Sequence, residues 1–285
     1  MALKDILVHL DTTARSTTRL AVAAALARQH GAHLIGLCVI DLPNTEYFYG
    51  AGMAFSGAGP EQVLERMRGD AVLQCAAIEA AFHDTVRRQE LQGEWRLTEG
   101  PTPATLALHG RYSDIVVVGQ PNPYDQSLDA GRHATVVTPL MSSGRPVLAV
   151  PFAGECATLG EHVLVAWNAS REAARAVNDA MPLLERARKV TILAVNPARG
   201  LGVHGEVPAA DIALHLARHG VKAEAAHTVA RDISDGEALL SYAADLGVDL
   251  IVAGAYGHSR ARELVFGGVT RTLISEMTVP VLFSH

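Results

Sequence analysis

The segment Asp249-Leu-Ile-Val-Ala-Gly254-Ala-Tyr-Gly257 is followed, nine residues later, by Gly267-Gly268-Val269-Thr270. An apolar run ending in Gly-x-x-Gly is the pattern of a buried parallel strand leaving its sheet through a tight turn. The Gly267-Gly268 pair stands before Val-Thr-Arg-Thr-Leu-Ile, the pattern of a first helical turn. A strand, a glycine turn, a loop and a helix N-terminus facing that turn gather backbone N–H donors and the positive end of a helix dipole around one spot. The chemistry available there is the holding of a phosphate. The competing reading is that the glycines only permit a tight turn and close helix–sheet packing. His258, Arg260 and Arg262 follow Gly257 either as phosphate contacts or as solvated loop charges.

Other chemistry is absent from the pattern. There is no Gly-x-x-x-x-Gly-Lys-[Ser/Thr], so the chain is not a P-loop ATPase. Gly57-Ala-Gly59-Pro does not follow a first strand and is no dinucleotide fingerprint. Gly-x-Ser-x-Gly is missing, and no paired carboxylates stand at a strand end. His215 and His219 are the only histidines at helical i, i+4 spacing, without a third ligand, so no structural metal is expected. Asp11 and Asn168 each close an apolar strand pattern, where they serve either a ligand or the cap of the next helix.

Around these residues the chain repeats one plan. Ile-Leu-Val-His-Leu-Asp at 6–11 matches Val-Leu-Val-Ala-Trp-Asn at 163–168, each followed by a polar cap region and an Ala-rich helical pattern. Second strands follow at 33–40 and 190–195. Asp114-Ile-Val-Val-Val-Gly119 matches Asp249-Leu-Ile-Val-Ala-Gly254, and Pro-led strands close the halves at 146–150 and 280–283. The first half is longer by about 23 residues because of an insertion at 42–60. That insertion carries Tyr47, Phe48, Tyr49, Met53 and Phe55, fit to line a pocket, meet a partner or cover sheet ends. A long helix is expected from Glu61 to about Gln92, with Val63, Leu64, Met67, Ala71, Cys75, Ile78, Phe82 and Val86 near one face. Alternating strands and helices predict parallel sheets covered on both faces, wound by right-handed crossovers. Two tandem α/β domains are expected, 1–152 with the insertion and 160–285 with the glycine motif, joined at 152–161.

Composition agrees. The 285 residues are 49% hydrophobic but only 5% aromatic, and the formal charge of −6 gives no electrostatic footprint for nucleic acid. No apolar stretch approaches the length of a membrane span. Cys38, Cys75 and Cys156 are odd in number and widely spaced, so they read as buried or incidental thiols of a cytoplasmic protein.

The second half, with Gly254-x-x-Gly257, nine residues, Gly267, and the closing Val279-Pro280-Val281-Leu282, resembles the universal stress protein family, and the whole chain resembles its two-domain tandem form. The resemblance implies doubly wound domains, each with a five-stranded parallel sheet of the adenine-nucleotide α-hydrolase-like kind. It also implies dimer-like packing of the two domains within the chain, homodimers remaining open. An adenine nucleotide (ATP, ADP or AMP, with or without Mg²⁺) is the implied ligand and small-molecule partner. Its phosphates would meet Gly257, Gly267, Gly268 and Val269, its ribose and adenine Ala166, Asn168, Val195 and Gly254, and Thr270, which continues the family pattern, is counted with these nucleotide-binding residues.

Two positions depart from the family pattern. Asn168 stands where nucleotide-binding members have Asp, so it can hydrogen-bond a ribose but brings no charge for a metal. Gly268 stands where a hydroxyl or amide is usual; its absence costs about 1–2 kcal/mol of phosphate affinity. In the first half Pro121 and Pro123 lack the N–H donors of a phosphate loop, leaving Gly131 as a remnant, so no nucleotide is expected there. The expected function is a stress-linked sensor or regulator that binds nucleotide in its C-terminal domain, with weak ATPase activity at most. The alternatives are a protein-interaction module recruiting a partner through 42–60, or a small-ligand binder or enzyme using a pocket near Asp11 and Tyr47.

Overall fold

The computed structural model describes residues 2–43, 60–122, 133–197, 209–256 and 268–285. The first half contains β1 (Asp5–His9), α1 (Ser16–His30), β2 (His33–Ile40), α2 (Pro60–Arg88), β3 (Gly93–Glu99), α3 (Thr102–Gly110), β4 (Ile115–Gly119), α4 (Ala134–Ser142) and β5 (Val147–Val150). The second half repeats the alternation with β6 (His162–Ala166), α5 (Arg171–Leu184), β7 (Lys189–Val195), α6 (Ala210–Arg218), β8 (Ala223–Thr228), α7 (Asp235–Leu246), β9 (Leu250–Gly254), α8 (Gly268–Glu276) and β10 (Val281–Ser284).

Each half is a five-stranded parallel sheet of the same order, but the two do not remain separate. They form one ten-stranded sheet, β3-β2-β1-β4-β5-β10-β9-β6-β7-β8. The seam is the antiparallel pair β5–β10, with Val281 opposite Ala149 and Phe283 opposite Val147. Central strands are buried on both faces, which explains their unbroken apolar runs; the outermost β3 and β8 alternate and carry charges such as Glu94, Arg96 and Glu224. The two apolar layers cross the seam. Leu148 and Leu282 join the face covered by α1 and α5, while Val147, Ala149, Val281 and Phe283 join the face covered by α4 and α8.

The repeated Asp114 and Asp249 have a physical role in this frame. Asp114 accepts from the backbone of Lys4 at 2.6 Å and Asp5 at 3.1 Å, and Asp249 from Gly160, Glu161 and His162 at 3.0–3.1 Å. Each carboxylate thus pins the entry of its half's first strand. The connection 152–161 is partly packed, with Leu159 buried against the α1/α5 layer.

Two expectations are corrected. Cys38 on β2 and Cys75 on α2 are joined in a disulfide, leaving Cys156 as the free thiol, because α2 crosses directly over β2. The expected apolar face of α2 is buried at Cys75 and Phe82, but Met67 is exposed. Residues 44–59, which hold the aromatic insertion, lie outside the described residues. Among the described residues no helix is long and apolar enough to cross a membrane.

Candidate functional site

In each half the chain builds outward from its first strand in one direction and then in the other. In the second half the reversal falls between β6 and β9, whose following helices, α5 and α8, pack in opposite layers. A crevice must open there at the strand C-termini. Ala166, Val195 and Gly254 are the last residues of β6, β7 and β9, all half-buried, and Asn168 stands exposed just beyond β6. Gly268 begins α8 exposed, Val269 is half-buried and Thr270 is buried, so the open end of this helix belongs to the first two. Gly257 and Gly267 lie outside the described residues, as do His258, Arg260 and Arg262.

Backbone strain gathers at this edge. Ala169, Asn196 and Tyr256 follow the ends of three adjacent strands and have φ of 59°, 45° and 63°. Non-glycine residues adopt this left-handed region at a cost of order 1–3 kcal/mol, and such residues concentrate at functional sites. Gly254 has a separate necessity: a Cβ there would run into the backbone of Glu172 and Ala173 in the first turn of α5. The glycine lets that helix start lie directly over the end of β9.

The polar groups are arranged around the same edge. Asn168 Oδ1 accepts from the Ser170 N–H at 3.1 Å, and Ser170 Oγ accepts from Ala173 N–H at 3.1 Å. The cap of α5 is therefore Ser170, and Asn168 forms the turn before it; among the described residues its Nδ2 has no partner. Asn196 donates to Asp235 at 2.7 Å and accepts from the Ala230 N–H at 2.9 Å, tying the end of β7 to the start of α7. Burial pushes the Tyr256 phenol up to about 12, so it stays neutral beside the ring of His285. Ala166 and Val195 offer apolar walls, and the first N–H groups of α8 point out of its exposed end. This set suits a flat apolar ring with a ribose and an anionic tail. Asn168 is uncharged, Asp235 is engaged by Asn196, and no group of three ligating side chains occurs among the described residues.

The first half has the same crevice with different contents. The 157-residue offset that maps Asp11 onto Asn168 maps Arg19 onto Ala176 and His9 onto Ala166. Arg19 is buried; its Nε donates to the His9 carbonyl at 3.0 Å and its Nη2 pairs with Asp11 at 2.6 Å. Its guanidinium lies against Gly119, where a Cβ would collide with Nη1. Asp11 also accepts from the Thr13 N–H at 3.0 Å, so it is a turn former and an ion-pair partner. Burial and the neighbouring Arg19 hold the His9 imidazole down at about 4 against the opposing pull of Asp11. Pro121 follows Gln120 as the pattern required; Pro123 and Gly131 lie outside the described residues. Gln120 is buried, accepting from the Phe152 N–H at 2.7 Å and donating to the Ser275 carbonyl at 2.9 Å. Sequence reasoning missed Arg19, although aligning it with Ala176 across the repeat would have flagged a cation in an apolar layer. It also missed Asn196 and Tyr256, for which only asparagine's tolerance of left-handed backbone gave any signal.

Known proteins place this architecture. A model of the universal stress protein family matches residues 160–285. A universal stress protein from Synechocystis sp. is 44% identical over 46 residues, a match that spans 16% of each chain. Among solved structures, a universal stress protein from Archaeoglobus fulgidus has a similar fold, with a TM-score of 0.74 at 15% identity over 98% of this chain and 95% of that one. A putative universal stress protein from Pseudomonas aeruginosa aligns at a TM-score of 0.60 and 12% identity, over 99% and 93% of the two chains. The chain therefore carries a universal stress protein family domain at residues 160–285, preceded by a first half of the same fold.

Proposed function

We propose that the second half binds an adenine nucleotide across the C-terminal ends of β6, β7 and β9, and that the protein acts as a nucleotide-responsive sensor or regulator. The observation that carries this reading is the gathering of Ala169, Asn196 and Tyr256, all left-handed, at the ends of three adjacent strands. In this reading Ala166 and Val195 flank the adenine, the Asn168 amide donates to a ribose hydroxyl, and the start of α8 at Gly268 and Val269 meets phosphate. Gly257 and Gly267 complete the glycine spacing in sequence. Asn168 brings no charge to the end of β6 for a divalent cation, and in this reading turnover is at most slow and binding is the output.

Calorimetric titration with ATP and ADP tests the reading. Dissociation constants in the micromolar range, about −8 kcal/mol, are expected, with Asn168→Ala and Gly257→Ala each weakening binding about tenfold. Absence of binding by either nucleotide up to about 1 mM, the −4 kcal/mol level, would overturn it.

A further inference from the structure

The antiparallel seam has a geometric consequence. Because β10 runs against β5, the segment entering β10 lies beside the C-terminal end of β5, on the first half's crevice side. The last turn of α8 is thereby brought to Gln120, the residue that follows β4. Helix ends leave carbonyls without intrahelical donors, and here one of them is satisfied from the other half: Gln120 Nε2 donates to the Ser275 carbonyl at 2.9 Å. The same amide is fixed at its other end by the Phe152 N–H at 2.7 Å, while the Gln120 backbone N–H donates to the Val150 carbonyl at 2.7 Å. A second contact lies beside it, with His133 Nε2 3.4 Å from Ser275 Oγ.

The contact is one-sided. In the repeat, Gln120 corresponds to Ala255, which has no side chain able to reach back across the seam to the end of α4. The position after the glycine strand is thus a polar clamp in the first half and a bare methyl in the second. The first half's proline-bearing strand exit, unsuited to phosphate, holds the far end of the helix whose near end, Gly268, opens onto the second half's crevice.

We propose that Gln120, supported by His133, is a positioning residue for the second half's crevice. It anchors the C-terminus of α8 and thereby fixes where that helix presents its N-terminal N–H groups. Resting on the nucleotide reading above, this makes the first half a regulator of the second half's affinity, and by linkage nucleotide must tighten the latch as much as the latch tightens nucleotide.

The experiment is hydrogen exchange of peptides covering 268–276 in the full chain, with and without ATP, alongside ATP calorimetry. Gln120→Leu removes both side-chain hydrogen bonds while keeping bulk, and Val8→Ala, in the first half's core and away from the seam, controls for general destabilisation. If Gln120→Leu does not fold, His133→Ala, at the weaker contact, takes its place. The latch predicts that Gln120→Leu speeds exchange across α8 and weakens ATP binding, each by about fivefold or more, while Val8→Ala leaves both near wild type. Exchange in α8 unchanged by Gln120→Leu, or changed equally by Val8→Ala, overturns the latch. Unchanged exchange protection by ATP overturns the coupling. Failure of the wild type to bind ATP overturns the nucleotide reading and the coupling with it, while the exchange result still decides whether Gln120 holds α8.

Discussion

The two crevices occupy equivalent places in the repeat and are filled by opposite means. In the first half a long cation folds inward: Arg19 reaches the end of β1, pairs with Asp11 and covers Gly119. In the second half the equivalent helix position is Ala176, and the strand ends instead carry three left-handed residues and an Asn168 whose Oδ1 holds a turn while its Nδ2 has no partner among the described residues. The frame alone therefore does not make a site. One arginine in place of one alanine puts a buried ion pair at the strand end, and the half that carries it is the half that reaches across the seam with Gln120.

The largest expected contrast lies at the paired glycines. Gly254→Ala puts a methyl group against the backbone of α5, which cannot yield without moving the helix, so a loss of about 2–3 kcal/mol is expected in urea unfolding. Gly119→Ala meets the end of the Arg19 side chain, which can shift, and about 1 kcal/mol is expected. Equal losses would break the comparison by showing that Arg19 is as immovable as backbone.

Titration separates the halves next. Among the described residues the buried histidines, His9 and His30, both belong to the first half. Burial, then the charge of Arg186, brings His30 down to about 4. A histidine lowered on folding binds its proton more readily when unfolded, so its contribution is complete above about pH 6.5 and is lost as pH falls toward 4. At pH 5 that amounts to about 2 kcal/mol. Among the described residues neither ring nitrogen of His30 has a hydrogen-bond partner, so His30→Leu should match wild type at pH 7 and exceed it by about 2 kcal/mol at pH 5. Parallel pH profiles for the two proteins would place the acid sensitivity elsewhere.

The smallest effect probes the start of α8 itself. A Cβ at Gly268 meets nothing within 4 Å, so Gly268→Ser fits and adds a donor at the start of α8. ATP affinity should rise by about 1 kcal/mol, the lower end of the cost assigned to the missing hydroxyl, or roughly fivefold in calorimetry. Unchanged affinity would remove phosphate from that end of the helix.

Much of this frame was legible because it is periodic. The apolar runs at 6–11, 114–119, 163–168 and 249–254 lie close to the observed strands, since a strand buried on both faces must be apolar throughout. The long helix and the start of α5 at Arg171 were legible from spacing and a polar cap, though the cap proved to be Ser170 rather than Asn168. The edge strands β3 and β8 carried no such signature, because one-sided burial leaves them charged and short of pattern.

The sequence by itself determined the local elements, the repeat, the glycine spacing after β9 and the loss of N–H donors at Pro121, because these follow from side-chain periodicity and backbone covalent geometry. Only the tertiary structure decided that the ten strands form one sheet, that Cys38 meets Cys75, that Arg19 fills the first crevice and that Gln120 grips Ser275. Those contacts join residues from 37 to 155 positions apart, or depend on which way a long side chain turns. No local pattern encodes either, since both are set by how helices pack on the sheet and, for Gln120, by the meeting of the halves at β5 and β10.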